Sequence, residues 1–185
     1  MTRIPNDTTA TTLPEQTVVM LKAAAPGREQ PLNLHAQMAH APALLAGYMG
    51  IRDAIAAHGT LDPKARTAIM LTVSTIEQCR YAQALNAFQA ARAGWGEPEI
   101  AALRAREPLA DARTDALIVL VAQATSNAGR VDDAVWQEAL DAGWSSAELG
   151  EAFLSMSLAG LVDAFVRFAQ TEPDAPTAPP ERRAA

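Results

Sequence analysis

The sequence predicts an all-α fold built from helix-turn-helix units, on three observations. Apolar residues make up 49% of the chain and aromatics only 5%, and alanine is abundant. That balance favours helices packed through small side chains over a sheet of β-branched and aromatic residues. Helix-start signals recur along the chain: Asp62-Pro63, Glu97-Pro98 and Ser145 followed by Glu148. Between them, apolar residues repeat at helical spacing, as in Leu44, Leu45, Tyr48, Ile51 and Ile55.

Taken in order, residues 1–11 are polar and Thr-rich and predict a flexible N-terminus. Thr12-Leu13-Pro14-Glu15 has capping-box spacing and starts a helix running to about Ala24, ended by Pro26-Gly27. A short helix covers about 33–40, and a longer one runs from Pro42 to His58, stopped by Gly59. Asp62 then reads as an N-cap with Pro63 at the first helical position. The helical pattern continues through Ile69, Met70, Val73 and Ile76 to Gly94. So long a run exceeds the usual globular helix. It predicts a break just before Cys79, although no glycine or proline marks one.

A short helix follows at Glu97-Pro98. Asp111 begins one that ends near Gly129, and Val131-Asp132 begins one that ends at Gly143. Ser145 and Glu148 form a capping box that opens a last long helix to about Gln170. Residues 12–170 thus make a single domain, and 171–185 a disordered tail rich in proline, alanine and charge. Ala93-Gly94-Trp95 leading to Glu99 echoes Ala142-Gly143-Trp144 leading to Glu148. Either one helix corner is reused, with the Trp closing the seam, or a helical hairpin has been duplicated.

The formal charge of −6 over 185 residues gives no attraction for nucleic acid or anionic lipid. The most apolar stretch, Ala152 to Phe168, carries Asp163 and Arg167 and reads as a buried helix, not a membrane span. The N-terminus lacks an apolar signal core, and one cysteine cannot form an intrachain disulfide. A cytoplasmic location is the expectation. His35 and His40 lack the i,i+4 spacing of a metal pair, and no phosphate-binding Gly-rich loop or nucleophile elbow is present. No cofactor and no metal is expected.

Chemistry concentrates at Cys79-Arg80-Tyr81-Ala82 and, four residues further, Asn86. With Ala39-His40-Ala41-Pro42, Gly59-Thr60-Leu61-Asp62-Pro63 and the two Gly-Trp corners in the same order, the chain resembles the alkylhydroperoxidase-D-like, or carboxymuconolactone decarboxylase, family. The resemblance spans most of 31–172. It implies an all-helical alkylhydroperoxidase-like fold and symmetric homo-oligomers, trimers or hexamers. It also implies thiol peroxidase activity at a Cys-x-x-Cys pair with a histidine at i+7 and a glutamate twelve residues before the first cysteine. Those positions are here Cys79, Ala82, Asn86 and Thr67, so only the first cysteine is present. The decarboxylase branch lacks the thiol pair and keeps the histidine.

Cys79 is therefore the candidate nucleophile, Tyr81 a candidate proton donor, and Asn86 a candidate for orienting a ligand. A helix starting beside Cys79, with Arg80 adjacent, would lower the thiol pKa, and Glu77 would oppose that. The other reading of Cys79 is a small buried hydrophobe. The functional expectation is an oxidoreductase acting on peroxide through a single cysteine, recycled by an external thiol. The alternatives are a non-redox enzyme or binding protein for a small molecule with a decarboxylase-like pocket, and a catalytically silent oligomeric module.

Overall fold

The computed structural model describes residues 2–6 and 13–174, and these form helices without strands. In chain order they are α1 (Glu15–Ala24), α2 (Asn33–Ala39), α3 (Pro42–His58), α4 (Pro63–Ile76), α5 (Arg80–Arg92), α6 (Glu97–Ala105), α7 (Ala112–Ser126), α8 (Asp133–Asp141) and α9 (Ser146–Ala169). The local chemistry accounts for most of the boundaries. Pro42 sits at the start of α3, and Gly59 follows its end. Asp62 caps α4, its carboxylate accepting from the Ala65 amide at 2.8 Å. Ser145 and Glu148 close a reciprocal box on α9, as the spacing predicts. The start of α1 differs in detail: Pro14 is its N-cap, with no side-chain cap, and Thr12 lies outside the described residues.

The long helical run does break before Cys79. α4 ends at Ile76, Gln78 takes a left-handed conformation with φ 54°, and Cys79 becomes the N-cap of α5. The Cys79 amide donates to the Ser74 carbonyl at 2.9 Å and the Gln78 amide to Thr75 at 3.1 Å. This is a Schellman closure made with a glutamine where glycine is usual, at a cost of about 1–2 kcal/mol. The strained residue sits directly beside the candidate nucleophile.

α4 is central. It packs on α5, α6, α7 and α9. One apolar cluster joins Leu34, Met38, Leu45, Tyr48, Cys79, Leu158, Val162 and Phe165 around the α2, α3 and α9 faces. A second gathers Ile69, Val73, Leu117, Val121 and Trp144, and a third Ala68, Leu71, Trp95 and Leu103. α9 is long and apolar enough by composition to cross a membrane, and 56% of its apolar window is buried against the other helices.

The Gly-Trp echo extends beyond one corner. The Trp95 indole donates to the Lys64 carbonyl at 3.0 Å, and the Trp144 indole to the Arg113 carbonyl at 2.6 Å, 31 residues apart in both cases. Lys64 lies 4.4 Å over the Trp95 ring and Arg113 3.8 Å over that of Trp144. The Trp95 amide bonds the Ala90 carbonyl and the Trp144 amide bonds Ala139, both at 3.1 Å. Gly94 and Gly143 share a left-handed φ near 95°. The Glu99 and Glu148 carboxylates accept from the Gly96 and Ser145 amides, each at 2.8 Å. Asp62 and Asp111 cap the two matching helices. The unit α4–α5–α6 is thus repeated at a constant offset by α7, α8 and the start of α9. The repeat supports the duplication reading, and the Trp closes the seam in each copy.

The terminal expectations fall partly outside the described residues, which exclude Met1, 7–12 and 175–185. Where described, both ends are tied down. The Arg3 amide donates to the Ala169 carbonyl at 2.9 Å, and the Gln37 side chain donates to the Ile4 carbonyl at 2.8 Å. Asp174 accepts from the Asn33 amide at 2.7 Å, and Thr171 bonds the Gln37 side chain. Residues 2–6 and 171–174 are thus hydrogen-bonded to the helical body. The physical reason is that buried Gln37 and the start of α2 need polar partners, and the two ends supply them.

Candidate active site around Cys79

Cys79 sits in the turn between α4 and α5, 3% exposed, walled by apolar residues of α2, α3 and α9. As N-cap it faces the first turn of α5, and the Ala82 amide favours its thiolate. Burial outweighs that effect. It pushes the thiol up to about 11, and the Asp163 carboxylate pushes the same way, while Arg167 pulls weakly down. The expected lowering is therefore reversed. A sulfur removed from water loses more by ionising than one helix turn returns.

The acid that faces Cys79 is Asp163, not Glu77. Glu77 is turned outward and clamped by Arg167, whose guanidinium donates to the Glu77 carbonyl at 2.5 Å and to its carboxylate at 2.6 Å. Asp163 lies one turn earlier on α9 and is fully buried. Neither of its oxygens makes a hydrogen bond of full geometry. Burial raises its carboxyl to about 7, against the pull of the Cys79 thiol and of Arg167. The two groups thus share buried, apolar surroundings, with the proton on sulfur and the carboxyl balanced near neutral pH. The signal for Asp163 in the sequence was a lone acid in the most apolar stretch of the chain. Nothing in the sequence says which turn it meets.

Tyr81, 7% exposed, donates its hydroxyl to Asp174 at 2.5 Å. Burial and that hydrogen bond raise the phenol far above its usual range, so it holds its proton. Asn86 is 4% exposed, with its amide donating to the Met70 carbonyl at 3.0 Å and to the Ser74 hydroxyl at 3.3 Å. At the family histidine position the amide therefore bolts α5 to α4. Thr67, at the family glutamate position, turns its hydroxyl back onto the Pro63 and Lys64 carbonyls. The structure brings Cys79 and Asp163 together, and commits Tyr81 and Asn86 to local partners.

A second buried polar pair lies in the same apolar cluster. His35 Nε2 is 3.1 Å from the Tyr48 hydroxyl, and its Nδ1 has no partner. Burial, then the Arg52 charge, lowers this imidazole to about 4, so it is neutral at pH 7. Among the described residues no three histidine, cysteine, aspartate or glutamate side chains gather as metal ligands.

The carboxymuconolactone decarboxylase family model matches residues 42–116, from the start of α3 into α7 and across the Cys79 turn. Over this segment, less than half of the chain, the sequence is similar to the carboxymuconolactone decarboxylase family. Solved structures share the whole fold at low identity. The alkylhydroperoxidase AhpD core of a peroxidase-related protein from Ralstonia eutropha JMP134 superposes with TM-score 0.82 at 15% identity, covering 94% of this chain and 92% of that one. A peroxidase-related protein from Silicibacter sp. TM1040 gives 0.77 at 16%, with the same coverage. A cysteine-to-alanine variant of the debrominase Bmp8, in complex with 2,3,4-tribromopyrrole, gives 0.75 at 13%, covering 91% and 95%. No curated protein sequence matches the chain. At these identities the likeness carries the fold.

Proposed function

We propose that the protein is a single-cysteine oxidoreductase that reduces a small organic hydroperoxide at Cys79, more slowly than a dithiol relative. The observation that carries this reading is the placement of the cysteine. It caps a helix beside a strained residue, with a buried, unpartnered carboxyl facing its sulfur. In the step, sulfur attacks one peroxide oxygen, forming an S–O bond as the O–O bond breaks. Sulfur is oxidised to a sulfenic acid, the peroxide is reduced to an alcohol, and the thiol proton ends on the departing alkoxide. The chain has no second cysteine to resolve that acid. An external thiol must therefore form a mixed disulfide with loss of water, and a second must release the reduced enzyme as a disulfide leaves. The apolar walls favour an alkyl hydroperoxide over hydrogen peroxide. Treating reduced protein with cumene hydroperoxide and trapping with a 1,3-diketone should label Cys79 in the folded chain. A wild-type thiol left unlabelled under excess peroxide would sink the reading.

A second reading is a binding or silent module. It is favoured by the 3% exposure of Cys79 and by the committed side chains of Tyr81 and Asn86. The debrominase in the same fold suggests that the scaffold serves small halogenated or aromatic molecules as well as peroxides. A thiol inert to iodoacetamide until unfolding, with thermal shifts on adding such ligands, would favour it.

The family's trimeric or hexameric assembly is also proposed for this chain. Its support is the large apolar surface left on α5 and α9: Phe88, Phe153 and Phe168 are 61%, 60% and 67% exposed. Light scattering at low micromolar concentration should give a mass several-fold above the 19.6 kDa chain. A monomer would count against the assembly.

A further inference from the structure

Asp163, buried beside Cys79, has a position that no hydrogen bond among the described residues explains. A fully buried carboxyl without a hydrogen-bond partner is costly, and folded proteins seldom leave one. Arg167, one turn further along α9, would neutralise it but is spent on Glu77. The thiol of Cys79 remains as the group it faces. The family positions that would handle protons are occupied by Thr67 and Asn86, both hydrogen-bonded elsewhere. The nucleophile is thus left with a carboxylate reaching it from α9.

We propose that the Asp163 carboxylate accepts the Cys79 proton as sulfur attacks a hydroperoxide, and returns it to the departing alkoxide. The inference rests on the hydroperoxide reading of Cys79. The thiol S–H bond breaks and an O–H bond forms on Asp163. The S–O bond then forms as the O–O bond breaks, and the carboxyl proton passes to the alkoxide to give the alcohol. Asp163 ends ionised as it began, so no further reactant is needed for this half-reaction. A carboxyl that titrates near 7 is suited to both transfers at neutral pH, whereas an ordinary aspartate would be too weak a base for a thiol this reluctant to ionise. Cys79, Arg167 and Glu77 are the groups whose titration or charge reaches it.

Asp163→Asn discriminates by sign. If Asp163 were only a nearby negative charge, removing it would lower the thiol pKa and speed every reaction of Cys79. If it is the proton acceptor, sulfenic acid formation at pH 7.5 slows by roughly tenfold or more. The rate also loses the inflection near pH 7 that the wild-type chain shows. A second measurement needs no turnover. The Asp163 carboxyl, followed by carbon NMR in the full chain, should titrate near 7 and move upward in Cys79→Ala, because the nearby thiol that favours the carboxylate is gone. Equal or faster oxidation in Asp163→Asn, or a carboxyl titrating as an ordinary aspartate, overturns the inference alone. A wild-type thiol that the hydroperoxide never oxidises overturns the hydroperoxide reading and this inference with it.

Discussion

Asp163→Asn is expected to make the folded protein more stable than wild type at pH 8, by up to roughly 4 kcal/mol, and nearly equal to it near pH 4. The figure follows from a carboxyl raised from 3.8 to about 7 in a fully buried site. Below the unfolded pKa both states hold the proton, and the carboxyl costs nothing electrostatically. Between about pH 4 and 7 the native state keeps a proton that the unfolded chain has released, so stability falls as pH rises. Above 7 the native carboxylate is charged in an apolar pocket, and the penalty is at full size. Asparagine keeps the shape and removes the charge. Urea unfolding of both proteins from pH 4 to 8 reads the gap directly. A gap that does not grow with pH, or a variant weaker than wild type at pH 8, would show that Asp163 has compensation not visible around it. Stability gained on removing a group whose loss also slows the sulfur chemistry is the pattern of a residue kept for function.

The helices were legible because their punctuation is chemical and local. Pro42 and Gly59 bracket α3, Asp62-Pro63 opens α4, and the Ser145–Glu148 box opens α9. Each signal lies within four residues of what it controls. The break at Gln78 was readable only from the excess length of the helical run, because a glutamine stands in a left-handed position that glycine usually fills. The site was legible only as far as Cys79. Its neighbours in sequence, Glu77 and Arg80, suggested a contest between an acid and a base, with the helix end tipping it toward the thiolate. The fold turns Glu77 outward onto Arg167 and brings Asp163 from the far end of the chain. Burial then decides the direction, and burial is a property of packing that no local motif records. Asp174 is a similar case: a residue assigned to the tail fixes the Tyr81 hydroxyl.

Trp144→Ala and Trp95→Ala are each expected to cost about 3–5 kcal/mol, and in nearly equal measure. Both indoles are buried, 5% and 7% exposed, so truncation leaves a cavity rather than a solvated gap. Both also clamp the first turn of a helix by donating to its backbone, under the charged head of a lysine or arginine. Phe in place of either Trp should cost less, about 0.5–1.5 kcal/mol for the lost hydrogen bond beyond any repacking, since the carbonyl still faces its own helix. The two clamps act on different halves of the site. Trp95 holds the start of α4, whose far end presents Cys79. Trp144 precedes the box that starts α9, which carries Asp163. Loosening either should open the closed pocket, so Cys79 should react with iodoacetamide faster in both variants under native conditions. Denaturant midpoints and alkylation rates measured together test the argument. If one Trp costs under about 1 kcal/mol while the other costs several, the two corners are alike in geometry but not in energy, and the repeat does not share its stability evenly between its halves. If both cost several kcal/mol and Cys79 stays shielded, the pocket is closed by the apolar faces of α2 and α3 and not by the clamps.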